Sequence, residues 1–452
     1  MKKILIKNAQ IVNEGKTFSA DVLLKNGRIE KIDSTIIGSG SETEINAEGQ
    51  YLLPGIIDDQ VHFREPGLTP KATIYSESKA AIAGGVTSFM EMPNTIPVAV
   101  THEILEEKYK IAQLTSLANY SFYLGTSNEN IEEVKKTNPK KICGVKIFMG
   151  SSTGKLVVDD PESLENIFRH SPTVIAAHCE TDSLIRLNEA HYRNIYGDAI
   201  PVSFHPVIRD EKQCYASSEF AVQLAQKHDA DLHVLHISTS EELSLFTNKL
   251  PLEKKKITAE VCVHHLWFDS RDYEILGPQI KCNPAIKEQR NKKDLMNALL
   301  DDRLDIVASD HAPHLWSEKY VHTSNGNIDY FRCPSGLPLI QYSLSMMLHF
   351  YQQGKISIEK IVEKMCHAPA VRFKVNGRGF IREGYWADLI LLDLRQKQSV
   401  SKENLLYKCG WSPLEGTTFT GLVTHTLVNG RPVYANGIFN EGANGMRLDF
   451  LR

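Results

Sequence analysis

Histidine, lysine and aspartate side chains stand at the ends of short apolar runs through the middle of this 452-residue chain. His62 and Arg64 follow the run YLLPGIIDD, Asn94 follows VTSFMEMP, and Lys146 lies within CGVKIFMG. His178 ends TVIAAH, His236 ends ADLHVLH and Asp310 ends LDIVASD. Imidazole nitrogen and carboxylate oxygen together suit a zinc ion with one position open to water. Taken singly, each residue has a plainer reading. A histidine in an apolar strand is more often a hydrogen-bonded core residue than a ligand, and His233 reads that way. Lys146 alone reads as a snorkelling lysine, and Asp310 alone as a helix cap. Their coincidence at separate strand ends is what points to metal-assisted chemistry. Unpaired charges inside a fold are costly, so such a set must pair internally or hold an ion.

These side chains meet only if the strands that carry them do. Eight apolar runs occur between residues 52 and 371: YLLPGIIDD, VTSFMEMPN, NYSFYLGTS, CGVKIFMG, TVIAAHCE, ADLHVLHIST, KITAEVCVHHLWF and LDIVASDHAPH. Amphipathic stretches such as KATIYSESKAAIAGG and YASSEFAVQLAQKHDA lie between several of them and end in helix-stopping residues. Eight βα units predict an α/β fold closed as a (β/α)₈ TIM-like barrel, whose strand ends share one rim. No G-x-G-x-x-G follows the first run, which argues against an open dinucleotide-binding sheet. Residues 1–51 and 372–452 read instead as short strands and turns, with Asn-Gly hairpin signals at 26–27 and 429–430. They predict a small β-sandwich domain built from both termini.

A net charge of −4 gives no basic surface for nucleic acid or anionic lipid. No apolar run is long enough for a membrane span, and the N-terminal segment lacks a signal-peptide pattern, so a cytoplasmic location is expected. The eight cysteines include no C-x-x-C pair and most sit in apolar runs, which predicts reduced core thiols.

The stretches GIIDDQVHFREPG (55–67), MPNT (92–95), GVKIFMGSSTG (144–154), AHCE (177–180), HIST (236–239) and SDHAPH (309–314) resemble the dihydroorotase branch of the amidohydrolase superfamily. The likeness runs in order over nearly the whole chain and extends to SPLEGTTFTGLVTHTLVNGRPVY near its end. It implies the same barrel and β-sandwich, and a cofactor of one or two Zn²⁺. By that resemblance His62 binds one zinc, His178 and His236 the other, and a carbamylated Lys146 bridges them. Asp310 ligates the first zinc and acts as general base on the attacking hydroxide. Arg64, Asn94 and His314 grip the substrate carboxylate, and Asn283, Pro334 and Gly336 contact the pyrimidine ring. The segment 315–332, polar with SNGN at its middle, reads as a loop that closes over substrate.

One position departs from the family's D-x-H-x-H pattern: the chain reads Asp58-Asp59-Gln60-Val61-His62. Gln60 shares a strand face with His62 and offers at best a weak neutral ligand in place of an imidazole. The expected reaction is reversible hydrolysis and cyclisation between dihydroorotate and N-carbamoyl-aspartate. Two alternatives stand beside it: a hydantoinase, dihydropyrimidinase or allantoinase, and an inactive homologue partnering aspartate carbamoyltransferase, for which Gln60 is the support. A homodimer is the expected assembly.

Overall fold

The computed structural model describes residues 3–150, 156–442 and 445–452; the SSTG end of the 144–154 motif lies outside the described residues. Five strands come first: β1 (Lys3–Asn13), β2 (Lys16–Lys25), β3 (Arg28–Asp33), β4 (Thr43–Asn46) and β5 (Tyr51–Pro54). The next nine segments are β6 (Ile56–Val61), β7 (Val86–Glu91), β8 (Asn119–Phe122), β9 (Leu124–Gly125), β10 (Val145–Phe148), β11 (Ile175–His178), β12 (Leu232–Val234), β13 (Ile257–Cys262) and β14 (Ile306–Ala308). Four more close the chain: β15 (Leu389–Ser399), β16 (Thr418–Val428), β17 (Arg431–Ala435) and β18 (Ile438–Phe439).

The middle group is the barrel. β6, β7 and β8 pair in parallel, as do β9 to β14 in chain order. β8 and β9 are one strand interrupted at Tyr123, so eight strands go round. A parallel bridge between Val61 and His311 joins the first strand to the chain after the last. The strand residues are buried along almost their whole length, as expected when helices cover one face and the barrel core the other. Phe63 and Phe89 touch at a ring-centroid distance of 4.4 Å and are fully buried. Truncating either to alanine is expected to cost about 3–5 kcal/mol.

The predicted helices form where their capping residues allow. Thr73 caps Ile74–Ala83 by accepting from the Ser76 amide, and that helix stops at Gly84. Asp210 caps Glu211–His228 in the same way, and Asp229 ends it in the left-handed conformation.

Both termini join in one nine-stranded sheet ordered β18-β17-β16-β15-β5-β1-β2-β3, with β4 beside β1. Asn26-Gly27 and Asn429-Gly430 all carry positive φ, as the hairpin signals require. All eight cysteines are free and buried.

Candidate active site

Most strands of the barrel deliver a polar residue to the same rim. Gln60, His62, Arg64, Asn94, Lys146, His178, His236, Asn283, Asp310, His314, Pro334 and Gly336 all line one cavity of about 680 Å³. Every site residue read from the sequence therefore converges there. Three of them leave their strands through a left-handed backbone: Arg64 at φ 67°, His236 at 39° and Asp310 at 45°. Such conformations are costly for residues with a Cβ and cluster where function requires them.

Hydrogen bonds orient the imidazoles. Asn94 Oδ1 accepts from His62 Nδ1 at 2.7 Å, which leaves Nε2 facing Asp310 Oδ1 at 3.1 Å. His178 Nε2 donates to Glu180 Oε2 at 3.0 Å, so its Nδ1 lone pair looks across 2.9 Å at His236 Nε2. Burial pushes all three imidazoles below their ordinary pKa, His236 furthest, which keeps them neutral and able to ligate. Lys146 is fully buried with no hydrogen-bond partner for its Nζ among the described residues, and burial lowers it to about 7. The donor set suits a divalent metal ion. Two imidazole nitrogens converge without an intervening acceptor, an aspartate meets a third imidazole, and an unpartnered amine stands among them.

Gln60 does not complete this set. Its Oε1 lies 3.5 Å from Cys262 Sγ, the contact of a buried amide with a thiol.

The far wall is cationic. Arg64 is buried, and its Nε donates to the Pro313 carbonyl at 3.1 Å. Its Nη2 lies 3.1 Å from His314 Nε2. Lys71 Nζ lies 3.2 Å from His314 Nδ1. Among the described residues no carboxylate forms a salt bridge with Arg64, and burial lowers its guanidinium to about 10. Asn283 Oδ1 is buried without a partner. Gly336, at φ 139°, approaches so closely that a Cβ would stand 2.5 Å from the Ala312 carbonyl.

Several supporting residues escaped the sequence reading. Glu91 accepts from the Phe63 amide at 3.0 Å and pairs with fully buried Lys108 at 2.6 Å, which fixes the chain between His62 and Arg64. Arg209 donates to Glu180 at 2.7 Å. Lys281 donates to the carbonyls of Tyr330 and Cys333, and Lys319 to those of Lys281, Pro334 and Gly336. These contacts pin the segment read as a closing loop: Lys319 and Tyr330 are buried, while Trp316, Ser317 and the hairpin tip near the His322–Ile328 bridge are exposed.

A barrel whose rim gathers histidines, a lysine and an aspartate has the architecture of the amidohydrolase family, whose model matches residues 219–433. A dihydro-orotase-like family model matches residues 49–242. A dihydroorotase of Methanosarcina acetivorans is 32% identical over 100% of this chain and 96% of its own. An allantoinase of Bacillus velezensis is 30% identical over 96% of this chain and 94% of its own. Among solved structures, an L-hydantoinase (dihydropyrimidinase) from Arthrobacter aurescens superposes with a TM-score of 0.90 at 26% identity, covering 97% of both chains. A dihydropyrimidinase from Brevibacillus agri shares the fold, with a TM-score of 0.88 at 24% identity over 100% of both chains. The chain belongs to the dihydroorotase-like branch of the amidohydrolase family. It is a hydrolase of cyclic amides that acts on small molecules. No helix among the described residues is long and apolar enough to cross a membrane.

Proposed function

We propose that the protein is a zinc-dependent dihydroorotase, interconverting dihydroorotate and N-carbamoyl-aspartate. The observation that carries this reading is Arg64: a buried guanidinium that forms no salt bridge among the described residues, beside His314 on the pocket wall. A buried cation of this kind wants an anion, and a carboxylate on the ring supplies it in bidentate geometry. Hydantoin, dihydrouracil and allantoin carry no such carboxylate.

His62, His178, His236 and Asp310 are the residues that would hold zinc, with Lys146 between them. Lys146 serves as a carbamate, its neutral amine adding to CO₂ with loss of one proton. When bound, zinc supplies Lewis-acid activation of water and of the ring amide carbonyl. Asp310, aimed at His62 Nε2, takes the proton of the attacking water and returns it to the departing ring nitrogen. Glu180 holds His178 in the tautomer that leaves Nδ1 free, and Asn94 does the same for His62. Arg64, Asn94 and His314 orient the carboxylate, while Asn283 and the backbone at Pro334 and Gly336 border the ring. Gln60 contributes no ligand. Residues 52–371 supply this chemistry, and residues 1–51 and 372–452 form the supporting domain. A cytoplasmic homodimer is the assembly that fits this reading.

The test is turnover of dihydroorotate against hydantoin, dihydrouracil and allantoin by zinc-loaded protein. A kcat/KM at least 10²-fold higher on dihydroorotate supports the assignment, as about 2.7 kcal/mol of discrimination by one buried charge. Preference for allantoin or hydantoin would move the protein to the other cyclic-amide substrates of its relatives. Inactivity on all four would favour the partner-protein reading, with aspartate carbamoyltransferase the partner to assay.

A further inference from the structure

Beneath the rim pocket, three strands point ionisable groups at one spot. Asp59 on β6, His233 on β12 and Glu260 on β13 are all fully buried. His233 Nε2 lies 3.3 Å from Asp59 Oδ2 and 3.3 Å from Glu260 Oε2. Among the described residues, neither carboxylate oxygen of Asp59 meets a donor in good hydrogen-bond geometry. None of the three lines the rim cavity.

The spacing is long for a single charge-assisted contact. Charge-assisted N–H···O contacts are about 2.7–2.9 Å, and this protein holds a control of equal burial. His311 Nε2 meets Glu77 Oε2 at 2.7 Å, with both side chains fully buried. At Asp59 and Glu260 one nitrogen faces two carboxylates, and both distances are longer by the same amount. Ligand bonds of about 2.0–2.2 Å in a tetrahedral shell place neighbouring donors roughly 3.3–3.6 Å apart. The observed separations fall on that edge.

The imidazole is also set up as a ligand. Its Nδ1 donates to Thr258 Oγ1 at 2.8 Å, and that hydroxyl donates onward to the Leu232 carbonyl at 3.4 Å. The relay fixes one proton on Nδ1 and leaves Nε2 as the atom facing the carboxylates, the orientation in which protein metal sites hold histidine. Burial and the neighbouring Asp59 push Glu260 up to about 8, and the two carboxylates hold His233 up at about 9 against the pull of burial, so without an ion the cluster keeps protons that a divalent ion would displace.

We propose that Asp59, His233 and Glu260 form a second cation centre on the barrel floor, which takes a divalent transition ion of the zinc type. The N,O,O donor set suits Zn²⁺, Mn²⁺ or Fe²⁺. The ion enters before the barrel closes and contributes to folding as a structural metal does. It also steadies the rim, because Glu260 Oε1 accepts from the His236 amide at 3.1 Å and so anchors that residue's left-handed turn. The inference is independent of the reaction assigned to the rim.

Anomalous diffraction at the zinc edge, from crystals of the full chain purified out of zinc-replete medium, tests it directly. The expected result is a peak among the three donors, resolved from any peak in the rim pocket. A floor without a peak overturns the proposal, whether or not the rim carries one. Asp59→Asn should lower tightly held zinc by about one equivalent per chain, and an unchanged zinc content would likewise overturn it. Should that variant fail to fold, the diffraction experiment on the unaltered chain still decides.

Discussion

The barrel rim and the terminal sheet both bury polar groups, but they treat them in opposite ways. In the sheet domain Asp388 is saturated. Arg378 and the Asn119 amide bind one of its oxygens, and the Asn429 backbone donates to the other at 2.7 Å. Asn13 likewise exchanges two bonds with the backbone of Ile381, each of 3.0 Å. At the rim, Lys146 Nζ, His236 Nδ1 and Asn283 Oδ1 are buried without partners among the described residues, and Arg64 donates to the Pro313 carbonyl rather than to a carboxylate. In the sheet the fold itself satisfies most such groups, Asn429 Oδ1 being an exception. The gathering of unsatisfied groups at the rim marks where a ligand would complete them.

Asp310→Asn breaks the rim side most sharply. It should reduce kcat by about 10²–10⁴-fold, the usual worth of a general base, while zinc content by elemental analysis stays near that of the wild type. Arg378→Met breaks the sheet side instead. Leaving Asp388 buried and unpaired should cost about 3–5 kcal/mol of stability in denaturant unfolding, with kcat/KM of the folded protein little changed. Arg64→Ala sharpens the contrast within the pocket. Binding of dihydroorotate should weaken by about 2–5 kcal/mol, whereas turnover of dihydrouracil should not fall. An equal loss on both substrates would show that Arg64 does not read the carboxylate.

A smaller effect appears with pH. Burial lowers His265 to about 4, so it is neutral in the fold. The unfolded chain takes up that proton near its ordinary pKa of about 6.5. Between these values the unfolded state binds more protons, so stability is present above pH 6.5 and is lost as pH falls toward 4. The slope is at most about 1.4 kcal/mol per pH unit. Thermal melts of His265→Gln over this range should show a shallower decline than the wild type.

Much of this was legible in the sequence because strand ends are marked twice, by an apolar run and by the polar residue that stops it. The runs ending at His62, His178, His236 and Asp310 became β6, β11, β12 and β14 and their exits, and all four residues face one cavity. The Asn-Gly pairs became hairpins because two consecutive positive-φ positions leave few other choices. What stayed hidden depends on partners far along the chain. Lys108, in the charged helix His102–Thr115, looks solvent-facing in sequence and is fully buried against Glu91. Lys281 and Lys319 carry no local signal of a role, yet both end on backbone carbonyls that hold 329–336 in place. No local pattern links Asp59 to His233 or Glu260, since barrel closure alone brings their strands together. Glu180 was the one supporting residue within reach, standing two places after His178 inside AHCE.

The most direct test of the account is to titrate zinc into metal-stripped protein while dihydroorotate hydrolysis is followed on the same sample. Activity should rise in step with bound zinc and reach its plateau once the rim holds one or two equivalents per chain, beyond any ion held on the barrel floor. Protein that turns over dihydroorotate equally well without metal, or that stays inactive when fully loaded, would contradict it.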